Sequence, residues 1–225
     1  IIMIRKFLPY FIFKRLFGDR KKYKNINIHN DKDWKKWKNS VIKEYGRRDQ
    51  TIQKVLENQG YKILKEISFR NKKILEVGPG LLPHIKFMKT FPKEYLISDI
   101  NEKFLQISNK ILKQKKIKTT IVKINKKNKL SLKSNSIDHV ICFYSLEHFH
   151  NLKQYVNEFY RLLKKDGSLI FAIPNEGFLA WGLGRYIFTR NKAYKEGINY
   201  DKIICMEHPN FSDKILKELK RKFNC

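Results

Sequence analysis

The sequence predicts an α/β protein with a doubly wound, mostly parallel sheet, helices on both faces and an N-terminal helical extension. Three observations predict it. Short apolar runs alternate with amphipathic stretches of 3.6-residue period. The first such run ends in a glycine-bearing turn, Gly78-Pro79-Gly80. An acid, Asp99, closes the next run about 20 residues further on, the spacing of a nucleoside-binding turn.

Taken in order, Ile1 to Phe17 is rich in Phe, Leu and Ile but broken by Arg5, Lys6, Pro9, Lys14 and Arg15. It lacks the unbroken apolar core and small-residue cleavage site of a secretory signal. Ile4, Phe7, Leu8 and Phe11 could share one helical face flanked by basic residues. Such a face suits an interfacial anchor or a cap on the main domain, and both readings stay open. Residues 18 to 50 are polar and read as a connecting arm, with Trp34 and Trp37 as isolated apolar anchors. A helical pattern begins at Thr51 and carries Ile52, Val55, Leu56, Ile63, Leu64 and Ile67, weakened at Gly60.

Lys73 to Val77 reads as the first strand, and a helix is expected from Pro83. Tyr95 to Asp99 is a second strand, followed by a helix capped by Asn101. Thr119 to Ile124 and Ile137 to Phe143 are the third and fourth strands. The clearest helix carries Leu152, Tyr155, Val156, Phe159, Leu162 and Leu163, and ends at Asp166-Gly167. Ser168 to Ile173 is the fifth strand, and a last helix spans about Ser212 to Phe223. The division expected is an N-terminal basic and aromatic extension or cap over 1–50 and one domain over 51–225.

Composition narrows the class. The chain has 225 residues with 42% hydrophobic content, enough for one sizeable core. No apolar run is long enough to span a bilayer. Cys142, Cys205 and Cys225 are scattered and form no CxxC pair, which suits a reducing cytoplasm. The net charge of +28 points to an anionic partner, either nucleic acid or membrane. The excess is mostly lysine spread over the whole chain, whereas arginine reads phosphates and bases best. A compositional bias therefore accounts for it better. The chain opens on Ile1 rather than Met, which leaves open that residues precede it.

The turn Glu76-Val77-Gly78-Pro79-Gly80 carries the chemistry. Glycines there allow a sharp bend and close approach of a ligand. Asp99 can accept hydrogen bonds from ribose hydroxyls. A dinucleotide fingerprint would place its third glycine where this chain has Pro83, and it would want a free helix N-terminus for a pyrophosphate. Glu76 suits a cationic ligand instead. An adenosyl cofactor carrying a sulfonium and an amino group fits better.

Lys73 to Asn175 resembles the core of the class I S-adenosylmethionine-dependent methyltransferases, especially the small-molecule, type-11-like group with its Rossmann-like fold. Glu76-Val77-Gly78-Pro79-Gly80 is similar to the family's first motif, and Ser98-Asp99-Ile100 to its second-strand acid. Ser136 to Ile141 resembles the approach to the fourth strand, Ser145-Leu146-Glu147-His148-Phe149 the segment after it, and Leu162 to Leu169 the helix, turn and fifth strand. The resemblance covers slightly under half of the chain. It implies S-adenosyl-L-methionine as cofactor. Glu76 would lie near its amino group, Gly78 and Gly80 beneath the methionine part, Asp99 at the ribose and Ile100 against adenine. Asn125 or Lys126 would border the adenine where many relatives carry an acid, and Tyr144 would floor the sulfonium region. Many relatives have a further glycine at the position of Leu82. The family also has two more strands after the last helix. This chain stops at Cys225, so either its C-terminus is missing or its sheet is shortened.

Methyl transfer needs an acceptor placed in line with the carbon–sulfur bond, and an oxygen acceptor also needs a base. His148 is the candidate base; the alternative is that Glu147 and His148 fix the loop. No HExxH spacing occurs, so no metal site is expected. His208, in Glu207-His208-Pro209, resembles a stretch that precedes the last helix in relatives. With Trp181 of the segment Phe178 to Phe188, it is the candidate acceptor contact; ordinary packing is the other reading of that segment. Asp/Asn-Pro-Pro-aromatic base methylation is disfavoured by Phe143-Tyr144-Ser145-Leu146, and Cys142 reads as core rather than nucleophile. The acceptor expected is a small molecule, and a sugar or lipid-linked intermediate if residues 1–21 touch an anionic membrane. An RNA methyltransferase and a non-catalytic S-adenosylmethionine-binding relative are the alternatives.

Overall fold

The apolar runs do form one sheet, and all five of its strands are parallel. In the computed structural model, residues 4–23, 31–45, 52–125 and 129–224 are described. The strands are β1 (Lys73–Val77), β2 (Glu94–Ser98), β3 (Thr119–Ile121), β4 (Ile137–Phe143) and β5 (Leu163–Ala172), in the spatial order β3-β2-β1-β4-β5. Strand order reverses beside β1, so the carboxyl ends of β1, β2 and β4 converge where a doubly wound sheet binds ligands.

The chain divides into two compact units. One comprises Val55–Ile173 and Ile215–Cys225; the other comprises Ile1–Lys54 and Pro174–Lys214. This differs from the boundary expected near residue 50. Composition marks the start of the sheet, but it carries no trace of which segments pack together in space.

In the sheet-bearing unit, strands buried on both faces explain the near-continuous apolar runs. Leu75, Val77, Val140 and Cys142 face a core closed by α5 (Leu152–Leu162) and by Ile215 and Leu219 of α9 (Ser212–Leu219). Ile74, Tyr95, Ile97, Ile141 and Phe143 face a second core, which includes Tyr61 of α3 (Ile52–Tyr61) and Leu105 and Leu112 of α4 (Glu102–Gln114). Asn101 caps α4, its side chain accepting from Lys103 N at 3.1 Å.

Three local expectations are corrected. No α-helix follows β1: only a 3₁₀ turn, Ile85–Phe87, forms before Pro92. Leu82 at φ +53° and Pro83 beside it break the helical path at its start. The Asp166-Gly167 turn lies inside β5, not before it. The two-residue step from Ile137 to His139 on β4 pairs with the five-residue step from Leu163 to Ser168 on β5, so the stretch around Lys164 to Gly167 bulges. A side chain at Gly167 would meet the carbonyls of Asp138 and Lys164 at 3.0 Å. The pattern begun at Thr51 also ends sooner: α3 stops at Tyr61 and a 3₁₀ turn, Lys62–Lys65, follows.

The other unit is helical. Its elements are α1 (Tyr10–Phe17), α2 (Lys32–Tyr45), α6 (Leu179–Gly184), a π-helical turn (Arg185–Arg190), α7 (Asn191–Lys195) and α8 (Tyr200–Glu207). The expected arm is thus partly helix. Trp37 packs on Tyr200 at 4.9 Å between ring centres and donates Nε1–H to Glu207 Oε2 at 2.9 Å. The N-terminal apolar stretch is not one helix, because Pro9 separates a 3₁₀ turn, Ile4–Phe7, from α1. Among the described residues no helix is long and apolar enough to cross a membrane.

Candidate cofactor site

The site grows from the bend after β1. Gly78 (φ +76°) and Gly80 (φ +54°) take left-handed backbone that side-chain-bearing residues adopt at a cost. Gly78 N–H donates to Ser98 O at 2.8 Å, tying the bend to the end of β2. Ser145, just past β4, donates its hydroxyl towards Gly78 O at 3.2 Å and Phe143 O at 3.1 Å. A Cβ on Gly78 would stand 2.2 Å from Ser145 Oγ, so the approach of these two loops itself demands glycine. Leu82 holds the position where many relatives have glycine, and it keeps left-handed backbone with its side chain buried.

Asp99 stands at the end of β2. Its Oδ1 accepts Asn101 N–H at 2.7 Å. Burial raises its carboxyl above the ordinary value, and the N–H groups of Asn101 and Gly80 oppose that rise. The neighbouring Ile100 is 93% exposed, an apolar surface beside a hydrogen-bond acceptor. Asn125 is exposed and closes a loop with Lys129, donating N–H at 2.9 Å and accepting at Oδ1 at 3.0 Å. Lys126 lies outside the described residues.

Glu76 is buried, only 1% exposed. Its Oε2 accepts from the Tyr95 hydroxyl at 2.7 Å. Its Oε1 lies 3.2 Å from His84 Nε2 without a hydrogen bond. Sequence reading missed both partners. The signal was present for Tyr95, which lies with Ile97 on the face of β2 that matches Glu76 on β1. Nothing local marked His84, which arrives through the irregular turn.

Tyr144 directly follows β4, with φ +50°. Its hydroxyl donates to Glu57 O of α3 at 3.1 Å, and burial, with the Glu57 and Glu147 charges adding, pushes its pKa up to about 12. It stays a neutral donor at physiological pH. A Cβ on Gly60 would meet Tyr144 Oη at 2.5 Å, so the glycine that weakened α3 in the sequence is what lets α3 lie against Tyr144. His148 ends a 3₁₀ turn, Leu146–His148, and is 40% exposed, its Nε2 4.0 Å from Glu147 Oε1. Cys142 is fully buried, and burial raises its thiol well above the usual value, which keeps it unreactive.

The chemistry of these groups fits an adenosyl ligand. A glycine bend, a partly buried carboxyl acceptor and an exposed apolar side chain meet at the reversal point. Buried Glu76 Oε1 retains an unfilled acceptor beneath the bend.

The structure brings Trp181 and His208 together in the helical unit, with ring centres 6.4 Å apart. Trp181 also stacks on Phe17 at 6.4 Å. His208 Nδ1 lies 2.6 Å from Glu176 Oε2, while Arg20 Nη2 donates to Glu176 Oε1 at 3.0 Å and Arg20 Nη1 to His208 O at 2.6 Å. Burial pushes the His208 imidazole down to about 4, so it is neutral at pH 7 and donates Nδ1–H to the carboxylate that Arg20 balances. The unfolded chain titrates near 6.5. Between these values the unfolded chain binds the proton first. Stability is therefore full above about 6.5 and falls, by up to about 3 kcal/mol, as pH drops towards about 4. Tryptophan fluorescence during denaturant unfolding reads this, since all three tryptophans lie in this unit. His208→Gln is expected to remove the acid-side slope; an unchanged slope would assign it elsewhere.

Residues 75–171 match the family model described as a methyltransferase domain. With the parallel sheet and the glycine bend, that match gives the chain a methyltransferase domain over those residues, and S-adenosyl-L-methionine is the cofactor such a domain implies. Among solved structures, the chain is similar to a protein of Bacillus halodurans C-125 assigned provisionally as a methyltransferase. That likeness has 19% identity and a TM-score of 0.53, over 72% of this chain and 67% of the other. It is also similar to a Thermotoga maritima S-adenosylmethionine-dependent methyltransferase described as a possible histamine N-methyltransferase, with 18% identity and a TM-score of 0.51, over 80% and 76%. At these identities the likeness is one of fold. The chain spans about half the length of another match, the YcgJ protein of Bacillus subtilis (18% identity, TM-score 0.44, 50% of each chain). A comparison with curated proteins finds no match.

Proposed function

We propose that the chain transfers a methyl group from S-adenosyl-L-methionine to a small-molecule acceptor, a sugar or lipid-linked intermediate. The observation that carries the reading is the bend at Gly78–Gly80 beside the Asp99 carboxyl. When bound, the cofactor supplies a methyl carbon on a positively charged sulfur. The residues of this chain place and hold. Asp99 accepts from the ribose hydroxyls, Ile100 covers one side of the adenine with Asn125 and Lys126 at its border, and the Gly78–Gly80 backbone runs under the methionine part. Glu76 offers its unfilled oxygen towards the amino group, and Tyr144 borders the reacting region. His148 takes the acceptor proton. Residues 1–21 touch an anionic membrane from the cytoplasmic side, which motivates the lipid-linked acceptor.

The test is transfer of labelled methyl to fractionated lipids, glycans and RNA. Label in a lipid or glycan fraction, absent with Asp99→Ala, is the expected result. His148→Asn should lower turnover about 100-fold or more with little change in cofactor affinity; unchanged turnover would remove His148 as base. Label confined to RNA would favour the second reading, an RNA methyltransferase, which the net charge of +28 supports. Cofactor binding with no labelled fraction would favour a non-catalytic relative.

A further inference from the structure

The N-terminal element and the segment around the π-helical turn are pinned to one another inside the helical unit. Arg185 is buried. It donates Nε–H to Leu16 O at 2.6 Å, a second N–H to Arg15 O and a third to Asp201 Oδ1 at 3.1 Å. Gly182 lies so close to α1 that a Cβ would stand 2.9 Å from the Phe17 ring. Both elements bury one side in this contact. Both leave large apolar side chains in solvent on the other: Phe7 (77% exposed) and Phe11 on the first, Leu183, Ile187 and Phe188 (72%) on the second. A π turn adds a residue to the helical repeat, and such turns mark functional segments. Here Ile187 and Phe188 fall within it.

Cations predominate around these side chains. Lys14 and Arg15 flank the phenylalanines and are exposed, Lys195 follows in α7, and Lys6, also exposed, lies 3.5 Å from Asp213, which Arg5 holds as well. The acids nearby are occupied. Asp19 accepts from the Tyr10 hydroxyl and Lys22 N–H, and Asp201 is held by Arg185 and Arg190. A second copy of a chain with net charge +28 would be repelled from this face. Exposed phenylalanine and aliphatic side chains rimmed by cations complement an anionic lipid surface.

We propose that α1 with its preceding turn and the Leu183–Phe188 segment form one composite surface that inserts into the headgroup region of an anionic membrane. It extends the membrane contact proposed above from residues 1–21 to a second element that the sequence did not reveal. The pinning by Arg185 presents both elements as a fixed pair, so neither can fold its apolar side chains away.

The test is co-sedimentation of the full chain with phosphatidylcholine vesicles, with and without phosphatidylglycerol. Binding is expected only with the anionic lipid, and is expected to weaken as salt rises. Phe7→Ser with Phe11→Ser, and separately Ile187→Ser with Phe188→Ser, should each lower binding by about tenfold or more. These positions are exposed, and circular dichroism checks that the variants fold. Phe188→Trp should shift its emission to the blue on anionic vesicles. Four results would each overturn the proposal: no vesicle binding, equal binding to neutral lipid, loss with only one of the two pairs, or a concentration-dependent dimer that the same variants dissolve. Calorimetry with S-adenosylmethionine needs no vesicles, so the methyltransferase reading and this surface fail separately.

Discussion

Replacing Asp99 by alanine is expected to weaken S-adenosylmethionine binding about 100-fold while the chain remains folded. The reasoning starts from position. Asp99 directly follows β2, next to the glycine bend after β1 and beside the reversal point of the sheet. One oxygen is already satisfied by Asn101 N–H at 2.7 Å, which fixes the carboxyl rather than filling it. Hydrogen bonds to a charged group contribute about 1.5–3 kcal/mol each, so losing those to the ribose removes roughly 3 kcal/mol, a factor of about 100. The loss to folding is smaller. Asn101 still caps α4 through its own side chain, and removing Asp99 relieves a carboxyl whose burial raises its pKa. Calorimetry gives the affinity and thermal unfolding gives the control. An affinity within twofold of the unaltered chain would show that this carboxyl does not hold the nucleoside.

Gly78→Ala is expected to destabilise the sheet-bearing unit by about 3 kcal/mol and to abolish measurable cofactor binding. Two costs add. Left-handed backbone at φ +76° costs an alanine about 1–2 kcal/mol. The new methyl would also stand 2.2 Å from Ser145 Oγ and 2.8 Å from Ser145 Cβ, so the loop after β4 must move. That movement also disturbs Tyr144, the residue before Ser145. The steric share can be separated from the backbone share. Ser145→Ala in the Gly78→Ala background removes the hydroxyl and should recover part of the loss, which a double-mutant cycle on denaturant midpoints would record as a coupling of about 1 kcal/mol. Additive effects of the two substitutions would show that the loops do not meet as described.

Much of the fold was legible because its signals are local. Lys73 to Val77 and Ile137 to Phe143 form strands with those bounds, and the periodic face of Leu152, Tyr155, Val156, Phe159 and Leu162 lies buried in α5. Asn101 caps the helix that its type and position announce. Where reading failed, a backbone reversal or a distant contact outweighed the local pattern. Pro83 looks like a helix start, but left-handed backbone at Leu82 precedes it and only a 3₁₀ turn forms. Lys32 to Tyr45 reads as part of a polar connecting arm, yet it is helical, with Trp37 held by Tyr200 and Glu207. The site divides in the same way. The glycine bend and Asp99 could be named from spacing alone. The approach of His84 to Glu76, and the meeting of Ser145 with Gly78, could not.

The sequence by itself determined the class of fold and the bend at its centre, because strand period, helix period and glycine conformation are properties of a few neighbouring residues. Only the tertiary structure decided that Pro174–Lys214 packs with the N-terminal segment as a unit of its own, and that Glu76 turns inward to Tyr95. Those outcomes rest on contacts between residues 19 to about 170 positions apart, such as Tyr95 with Glu76 and Arg185 with Leu16. No window of sequence spans such pairs. Chain entropy gives them no preference until the sheet and the helices that carry them have formed.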